Sequence, residues 1–474
     1  MNNINTPIKR NSGLQAAEFH FCNFATGGIM AKIVFMGAGS TVFAKNVIGD
    51  CMLTPSLKES EIALYDIDPI RLKESKMVMD NLNENFNAGR AVIKAYCGIS
   101  QRRAALKGAG YVVNAIQVGG YKPSTVIDFE IPRKYGLRQT IGDTLGIGGI
   151  FRGLRTMPVV LDFARDMEAV CPDAWFLNYT NPMSMLTGVL LQATSIKTVG
   201  LCHSVEGCAP TVLKQLGMLE EVKNLNWKIA GINHQAWLLE VRDGKKDLYP
   251  EMKRRAEKLL NVWRKSGTNK HSNMVRLYMM LKFGYYITES SEHNAEYNMY
   301  FIKRNYPGLI KEFNIPLDEY LKRCVSQVAG WKKQRKEILG GGIVAHERSG
   351  EYGAGIIEAL ETNKPIRIGG NVLNKGFITN LPPKAVVEVP CLVYGAGIEG
   401  SYIGDLPEQL AGLNRAMINV QQLTIEAALT GKKEAIYHAA YLDPHTASEL
   451  SLDEIADMCD DLIKAHGKML PKYR

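Results

Sequence analysis

The stretch "KIVFMGAGST", residues 32 to 41, decides the fold. An apolar run that suits a buried strand leads into Gly37-x-Gly39 and then into Ser40 and Thr41. Glycines at such a turn let the backbone approach a pyrophosphate, and the free N–H groups of the following helix attract anions. The stretch predicts a dinucleotide-binding strand–turn–helix unit, although Val42 stands where the usual fingerprint has a third glycine.

A second strand, "EIALYD" (residues 61 to 66), strengthens this prediction because it ends in Asp66. A carboxylate at that point can accept hydrogen bonds from an adenosine ribose, and it repels a 2′-phosphate. The two stretches together favour NAD over NADP. The alternative is a plain glycine turn beside an acidic strand end.

Further short apolar runs alternate with helical stretches up to about residue 200, which is typical of a parallel sheet with helices on both faces. After about residue 230 the chain changes to longer charged helices and a strand-like block at 364–393. The predicted fold class is α/β. It comprises a Rossmann-like doubly wound domain at 30–230 and a mixed α+β domain at 231–474 for substrate, metal and oligomerisation. Residues 1–29 are predicted to be a disordered or non-native extension.

Composition excludes several classes of protein. The 474 residues contain no uninterrupted apolar run of about 18 residues, so no membrane partner is predicted. The nine cysteines are scattered and no export segment precedes them. We therefore expect a cytoplasmic protein without disulfides. The net charge of +9 is spread along the chain, which favours small anionic ligands over nucleic acid.

Three predicted strand ends are rich in polar groups: "NAIQVGGY" (114–121), "NYTNP" (178–182) and "CHSV" (202–205). Because the carboxyl ends of parallel strands face the ligand crevice, we expect these segments to converge near the nicotinamide. Between them, residues 138–156 combine five glycines with Asp143 and three arginines. This composition predicts a loop that covers the substrate, although a merely flexible loop is the alternative.

The neighbours Cys202 and His203 allow three interpretations: a buried thiol beside a polar residue, a catalytic pair, or part of a metal site. Thiolate and imidazole are both good ligands for divalent transition metals, but adjacent side chains diverge at a strand end. We therefore expect Cys202 to bind a metal together with a more distant histidine such as His234, while His203 faces the reacting bond. Residues 284–297 add a dense group of acids, His293 and Tyr297.

With these residues in place, the sequence resembles family 4 of the glycoside hydrolases, most closely its melibiase-type α-galactosidase branch. The resemblance runs from about Lys32 to the C-terminus and is carried by long collinear segments. They include "GAGSTVFAKN", "FEIPRKYGLRQTIGDTLGIGGIFRGLRT", "LNYTNPM", "GLCHSV", "GINHQAW", "TESSEH" and "YHAAYLDPHTA". The "CHSV" form of the cysteine motif implies α-galactosides such as melibiose rather than phosphorylated sugars.

The resemblance implies NAD and a divalent metal, usually Mn²⁺, as cofactors, with Cys202 and His234 as metal ligands. It also implies a redox route of hydrolysis. NAD takes a hydride from the sugar C3, a base removes the C2 proton, the C1 substituent leaves, water adds and the hydride returns. The metal holds the C2 and C3 oxygens as a Lewis acid. Relatives assemble as homodimers or homotetramers, and the same is expected here.

Within that scheme each candidate residue has an expected role. His203 assists at the leaving oxygen, and Asp143 assists proton transfer near C3 or C2. The base for C2 stays open between Glu292, His293 and Tyr297. Asn181 and Arg155 are expected to bind substrate. The expected cofactor contacts are Gly37, Gly39, Ser40, Thr41, Asp66, Gln117 and Asn178.

Three alternatives remain at this point. Within the same family, α-glucosidase or α-galacturonidase activity would need only different contacts to one substituent. An NAD-dependent 2-hydroxy acid dehydrogenase would have the same strand pattern but would leave Cys202 and His234 without a task. A non-catalytic NAD-sensing protein would not explain residues 138–156.

Overall fold

The computed structural model describes residues 30–266, 271–340 and 342–474. The extension predicted at 1–29 lies outside the described residues. None of the helices in these three ranges combines the length and the apolar content that crossing a membrane requires.

The first half of the chain forms the predicted parallel sheet. Its strands are β1 (Lys32–Met36), β2 (Glu61–Asp66), β3 (Val92–Cys97), β4 (Tyr111–Asn114), β5 (Trp175–Asn178) and β6 (Lys197–Leu201). They lie in the order β3-β2-β1-β4-β5-β6, and each neighbouring pair is parallel. This is the strand order of a dinucleotide-binding doubly wound fold, so the predicted fold class is confirmed.

Alternation along the strands explains why helices cover both faces. In β1, Ile33 and Phe35 belong to one apolar cluster, whereas Val34 and Met36 belong to another on the opposite face. The covering helices are α1 (Thr41–Leu53), α2 (Pro69–Asn87), α3 (Arg102–Leu106), α4 (Val126–Lys134), α5 (Gly146–Val170), α6 (Met183–Ala193) and α7 (Cys208–Gln215). Strands that are buried on both sides read as continuous apolar runs, as these do.

The second half extends the same sheet with antiparallel strands. These are β7 (Leu225–Ile232), β8 (Gln235–Asp243), β9 (Lys246–Asp247), β10 (Tyr286–Ile287), β11 (Ile366–Leu373), β12 (Val386–Tyr394) and β13 (Gly397–Gly400). The junction is between β11 and β6, where Asn371 lies opposite Gly200. The two predicted domains therefore share one sheet, and the boundary predicted between residues 230 and 231 falls within β7.

The remaining helices surround this extension and return to the parallel half. They are α8 (Tyr249–Lys265), α9 (Met274–Phe283), α10 (Ser291–Tyr297), α11 (Gly308–Glu312), α12 (Glu319–Leu339), α13 (Gly353–Thr362), α14 (Glu408–Thr430), α15 (Lys433–Leu442), α16 (Pro444–Glu449) and α17 (Leu452–His466). Helix α14 ends at Gly431, whose φ of 72° is a conformation that suits glycine at the end of a helix. Residues of α14, α15 and α17 pack on α5 in one apolar cluster.

Candidate active site

The turn after β1 has the shape that a cofactor phosphate needs. Gly37 has φ 88°, and a Cβ there would lie 2.7 Å from the carbonyl oxygen of Ala115. The Gly39 N–H donates to Asp66 Oδ2 at 2.7 Å, which joins the turn to the end of β2. The first bond within α1 runs from Ala44 N–H to the carbonyl oxygen of Ser40. The N–H groups of residues 41 to 43 are therefore directed out of the helix end.

The hydroxyl groups of this turn bond within the protein. Ser40 Oγ donates to the carbonyl oxygen of Gly37 at 2.8 Å, and Thr41 Oγ1 lies 2.8 Å from Ser75 Oγ. Both side chains thus stabilise the turn. Any contact of Ser40 or Thr41 with a cofactor is expected through the backbone N–H groups.

The polar residues at the ends of β4 and β5 have different environments. Gln117 is exposed, whereas Asn178 is fully buried and accepts hydrogen bonds from Asn114 Nδ2 at 2.9 Å and from the Thr180 N–H at 3.1 Å. The Asn178 side chain therefore holds two strand ends together rather than facing a ligand. Asn181 Oδ1 is buried and has no hydrogen-bond partner among the described residues, which leaves it free for a bound molecule.

The glycine-rich stretch at 138–156 is only partly a loop, because α5 begins at Gly146. A Cβ at Gly148 would lie 2.3 Å from the Gly142 carbonyl oxygen, and one at Gly149 would lie 2.6 Å from that of Thr144. The glycines thus allow α5 to pack directly against the segment that carries Asp143. Sequence composition did not reveal this helix because glycine disfavours helices in general.

A buried carboxylate fixes that segment from the other side. Glu296 accepts hydrogen bonds from the N–H groups of Thr140, Ile141 and Gly142 at 2.7, 3.2 and 2.8 Å. Burial raises the pKa of Glu296 to about 7. The sequence placed Glu296 in the acidic group but did not identify it as the residue that holds the Asp143 segment.

The substrate role predicted for Arg155 does not agree with its surroundings. Its side chain is 1% exposed and forms two hydrogen bonds with the Asp128 carboxylate, at 3.0 and 2.6 Å. Asp128 also lies 2.9 Å from His466 Nε2. This group joins α4, α5 and α17, so we assign Arg155 a structural role. One helical turn earlier, Arg152 donates to Tyr320 Oη at 3.3 Å and to the carbonyl oxygen of Asn181 at 3.2 Å.

Three side chains from separate elements meet in one cluster. Cys202 follows β6, His234 lies in the turn between β7 and β8, and Glu289 precedes α10. Each of the three residues offers one ligand atom, and these atoms all lie within 4.8 Å of one another. Among the described residues, these three form a group that could hold a metal ion. Sulfur, imidazole nitrogen and carboxylate oxygen together suit a divalent transition metal. The sequence predicted the first two residues and missed Glu289 as a ligand.

The backbone of two of these residues lies in the left-handed region. His234 has φ 65° and Glu289 has φ 62°, which non-glycine residues seldom adopt. Strained conformations of this kind collect at functional sites, where the surrounding structure fixes them. Here they aim both side chains towards Cys202. A positive φ cannot be recognised from a histidine or a glutamate in a sequence, which explains why Glu289 was missed.

Burial and neighbouring charges set the protonation of the cluster. Burial lowers the pKa of His234, so its imidazole is neutral and can bind a metal. Burial alone would raise the pKa of Glu289, but the positive charge that His234 and His293 carry when they are protonated, with the Ser290 N–H and Arg276, lowers it to about 2. Burial also raises the pKa of the Cys202 thiol, and metal coordination deprotonates such a thiol. The His234 imidazole and the Glu289 carboxylate can therefore bind a metal without losing a proton. The Cys202 thiol loses its proton when the metal binds.

Tyr297 and His293 form a second layer around the cluster. Tyr297 Oη lies 2.9 Å from His234 Nδ1, which leaves Nε2, 3.5 Å from Glu289 Oε2, on the side of the cluster. His293 Nε2 lies 3.9 Å from Asp143 Oδ1. Asp143, predicted from the glycine-rich stretch, is thereby brought to the cluster predicted from the cysteine motif.

Glu292 is directed elsewhere. Its carboxylate pairs with Arg323 of α12 at 2.6 Å. Of the three candidates for the C2 base, the structure therefore places His293 and Tyr297 beside the cluster and Glu292 on its outer side. Residues Ser291–Tyr297 form α10, and only the tertiary packing decides which of its faces is turned inward.

His203 lies next to the cluster and to the cofactor helix. Its side chain is 56% exposed, and its Nε2 lies 2.5 Å from Glu351 Oε1. The hydrogen bond to Glu351 raises the pKa of His203. The ring centroids of Tyr179 and of Phe43 in α1 lie 6.1 and 6.5 Å away. An imidazole in this position can donate a proton near neutral pH.

The comparison with protein families agrees with this geometry. Residues 32–218 match the model of the family 4 glycosyl hydrolases, and residues 229–446 match the model of the C-terminal domain of that family. The chain belongs to family 4 of the glycosyl hydrolases. This membership confirms the predicted resemblance and removes the 2-hydroxy acid dehydrogenase and the NAD-sensing protein from the alternatives.

Individual relatives of this family 4 enzyme cover almost its whole length. The α-galactosidase of Bacillus subtilis (strain 168) is 61% identical over 445 residues, which are 94% of this chain and 100% of that protein. The α-galactosidase of Rhizobium meliloti (strain 1021) is 33% identical over 93% of this chain and 89% of that protein. A 6-phospho-α-glucosidase from gut microorganisms, solved with NAD and Mn²⁺, superposes with a TM-score of 0.76. It is 21% identical and covers 94% of this chain and 100% of its own.

Proposed function

We propose that this family 4 enzyme is an α-galactosidase that hydrolyses α-galactosides such as melibiose with the help of NAD and a divalent metal, Mn²⁺. The observation that carries the proposal is the 61% identity with the Bacillus subtilis α-galactosidase over the full length of that protein. The "CHSV" motif agrees with this activity, and the meeting of Cys202, His234 and Glu289 supports the requirement for a metal.

The residues present fit both cofactors. The turn at Gly37 and Gly39 and the end of α1 would hold the pyrophosphate of NAD, and Asp66 would bind the adenosine ribose. Cys202, His234 and Glu289 would hold the metal. When bound, NAD supplies a hydride acceptor for the sugar C3 and the metal supplies a Lewis acid for the hydroxyl oxygens at C2 and C3.

The remaining groups handle protons. His203 would protonate the leaving oxygen at C1, since it follows Cys202 directly and its side chain is 56% exposed. His293 and Tyr297 would compete for the role of C2 base, with Asp143 facing His293 to accept or return a proton. Asn181 Oδ1 would accept a hydrogen bond from a sugar hydroxyl group.

The wider proposal is a cytoplasmic homodimer or homotetramer that acts on a small-molecule glycoside, without nucleic acid or membrane as a partner. Within the family, α-glucosidase and α-galacturonidase are the alternatives for specificity. They differ from the proposed activity only in the substituents at C4 and C6 of the sugar, which pocket contacts decide.

The proposal is tested by incubating the enzyme with NAD, Mn²⁺ and melibiose in deuterated water and following the released galactose by proton NMR. We expect deuterium at C2 of the galactose. Hydrolysis without deuterium at C2 would rule out the redox route, and accumulation of NADH would indicate a dehydrogenase. An α-glucoside and an α-galacturonide run in parallel test the two specificity alternatives.

The same measurement identifies the C2 base. Tyr297→Phe and His293→Gln each remove one candidate, and Glu292→Gln serves as a matched control on the outer side of α10. We expect the variant that loses the base to lose deuterium incorporation at C2, while the control keeps it. Loss in the Glu292→Gln control alone would contradict the placement of the base.

A further inference from the structure

The segment that joins α12 to α13 is anchored to the predicted cofactor helix α1 by one buried carboxylate. Asp50 of α1 is fully buried and accepts hydrogen bonds from the N–H and the Oγ of Ser349, at 2.9 and 2.5 Å. Its Oδ1 also lies 3.0 Å from His346 Nε2. Residues 346–352, here called the anchor segment, are thereby fixed against α1.

The last two residues of the anchor segment reach the end of β6. Glu351 Oε1 lies 2.5 Å from His203 Nε2. Tyr352 Oη accepts a hydrogen bond from the Cys202 N–H and donates one to the Cys202 carbonyl oxygen, both at 2.8 Å. The turn that carries the metal cysteine and the proposed acid is therefore held from outside the sheet by two consecutive side chains.

The pair of Glu351 and His203 differs from an ordinary surface ion pair. The Glu351 side chain is only 8% exposed, whereas that of His203 is 56% exposed. The Glu351 N–H donates to Ser349 Oγ at 3.1 Å, so Asp50, Ser349 and Glu351 form one continuous chain of contacts. The contact with His203 Nε2 is made by Oε1, while Oε2 is buried and has no hydrogen-bond partner among the described residues. A buried carboxylate on a fixed backbone can orient a partly exposed imidazole ring.

We propose that Glu351 is a positioning residue for the step in which the glycosidic bond breaks. This inference rests on the proposed function. Because Glu351 engages Nε2 of His203, the nitrogen left for the sugar is Nδ1. Glu351 thereby presents one defined nitrogen to the leaving oxygen.

The proton balance of the step is simple. The bond between C1 and the leaving oxygen breaks with its electron pair going to that oxygen, and the pair left at C2 by deprotonation forms a double bond between C1 and C2. The proton on His203 Nδ1 moves to the same oxygen, while Nε2 keeps its proton and its bond to Glu351. When water then adds at C1, one of its protons returns to Nδ1, so the imidazole is restored.

The test compares two α-galactosides that differ in their need for an acid. Melibiose releases a sugar alkoxide, which must be protonated as it leaves, whereas 4-nitrophenyl α-galactoside releases a phenolate that is stable by itself. For Glu351→Gln we expect kcat on melibiose to fall by about 10- to 100-fold, which is part of the contribution of a general acid. We expect kcat on the nitrophenyl substrate to fall by less than about threefold, with its KM unchanged.

Deuterium exchange separates this inference from the proposed function. In deuterated water, Glu351→Gln is expected to build up deuterium at C2 of unreacted melibiose, because C2 deprotonation continues while bond cleavage is slowed. If the galactose released by the wild-type enzyme carried no deuterium at C2, the proposed function would be contradicted. The comparison of the two substrates would still report on the role of Glu351. Equal losses on both substrates would show a merely structural role and overturn the inference, as would no loss on either.

Glu347→Gln is the matched control, because it makes the same change of charge at an exposed position of the anchor segment. We expect wild-type rates on both substrates for that variant. If Glu351→Gln does not fold, as judged by circular dichroism, Glu351→Asp keeps the charge at a shorter reach. Its expected result is a smaller loss that again affects melibiose more than the nitrophenyl substrate, and a proportional loss on both would overturn the inference.

Discussion

The cofactor end and the metal end of the candidate site are built in opposite ways. The cofactor end is made mainly of the backbone turn after β1, and a hydrogen bond of 2.7 Å joins Gly39 of that turn to the Asp66 carboxylate at the end of β2. The metal end is made of the side chains of Cys202, His234 and Glu289, which come from three separate parts of the fold. A site made of local backbone can be recognised in a sequence, whereas a site made of distant side chains depends on the turns that aim them. The two ends should accordingly fail independently when each is altered.

Replacing the cysteine should have the largest effect. In Cys202→Ser the soft sulfur ligand is lost, so we expect Mn²⁺ affinity and kcat to fall by at least about 100-fold, since changes even beyond the ligands can cost 10- to 100-fold. NAD affinity should stay within about twofold, because the turn at Gly37 is untouched. Isothermal titration with each cofactor measures both, and a parallel loss of NAD binding would show that the two ends are not independent.

Two carboxylates near α10 test whether the cluster is composed as described. Glu289→Gln removes a ligand and should weaken Mn²⁺ binding by about 10- to 100-fold. Glu292→Gln makes the same chemical change where the carboxylate pairs with Arg323 instead, and should change Mn²⁺ affinity by less than about threefold. Metal titration followed by activity measurement distinguishes them. A larger effect at Glu292 would mean that the other face of α10 binds the metal.

The cofactor end is tested by one added methyl group. In Gly39→Ala the new Cβ would lie 2.8 Å from Asp66 Oδ2 and 3.0 Å from the Cβ of Arg71. Such overpacking costs about 1–3 kcal/mol, so NAD affinity should fall by about tenfold while Mn²⁺ affinity is kept. Gly412→Ala in α14 is the control, because a Cβ there meets no described atom within 4 Å. Titration of both variants with NAD measures the two affinities. Equal NAD affinities would show that the Cβ added at Gly39 does not disturb the cofactor turn.

A buried carboxylate on β12 should make the stability of the protein depend on pH. Glu388 is fully buried and accepts from Asn371 Nδ2 at 2.9 Å, and burial raises its pKa from 4.5 to about 8. The folded protein then binds more protons than the unfolded chain across that interval. The free energy of unfolding of the metal-free protein should therefore fall as the pH rises from 4.5 to about 8, by at most about 1.4 kcal/mol per pH unit from this group.

Glu388→Gln should flatten this dependence, which urea denaturation at several pH values measures. The exposed Glu399 provides the control, since Glu399→Gln should keep the wild-type slope. An unchanged slope in Glu388→Gln would mean that the carboxyl group is already ionised in the folded protein at low pH.

The six strands of the parallel half were all predicted, because strands that are buried on both faces appear as short apolar runs. The sequence did not predict that β11 pairs with β6 and so makes one sheet, since pairing between strands that lie far apart along the chain leaves no local pattern. For the same reason, the anchor segment and its contact with His203 were not foreseen.

The sequence predicted best those parts of the candidate site that depend on neighbouring residues in the chain. Gly37, Gly39 and Asp66 were identified from spacing, and Cys202 and His234 from their motifs. Arg155 and Asn178 have polar side chains at the expected positions, but their partners, Asp128 and Asn114, turn them inwards. A polar residue in a sequence does not reveal whether its partner is another residue or a ligand.

The sequence by itself determined the doubly wound fold, the cofactor turn and the family, because these depend on the order and spacing of neighbouring residues. Only the tertiary structure decided that Glu289 completes the cluster, that Glu292 does not belong to it, and that Glu351 holds His203. The physical reason is that these contacts are set by two left-handed residues, His234 and Glu289, and by a segment fixed on the buried Asp50. Neither the backbone conformation of a single residue nor the partner of a buried charge is encoded in any short stretch of sequence.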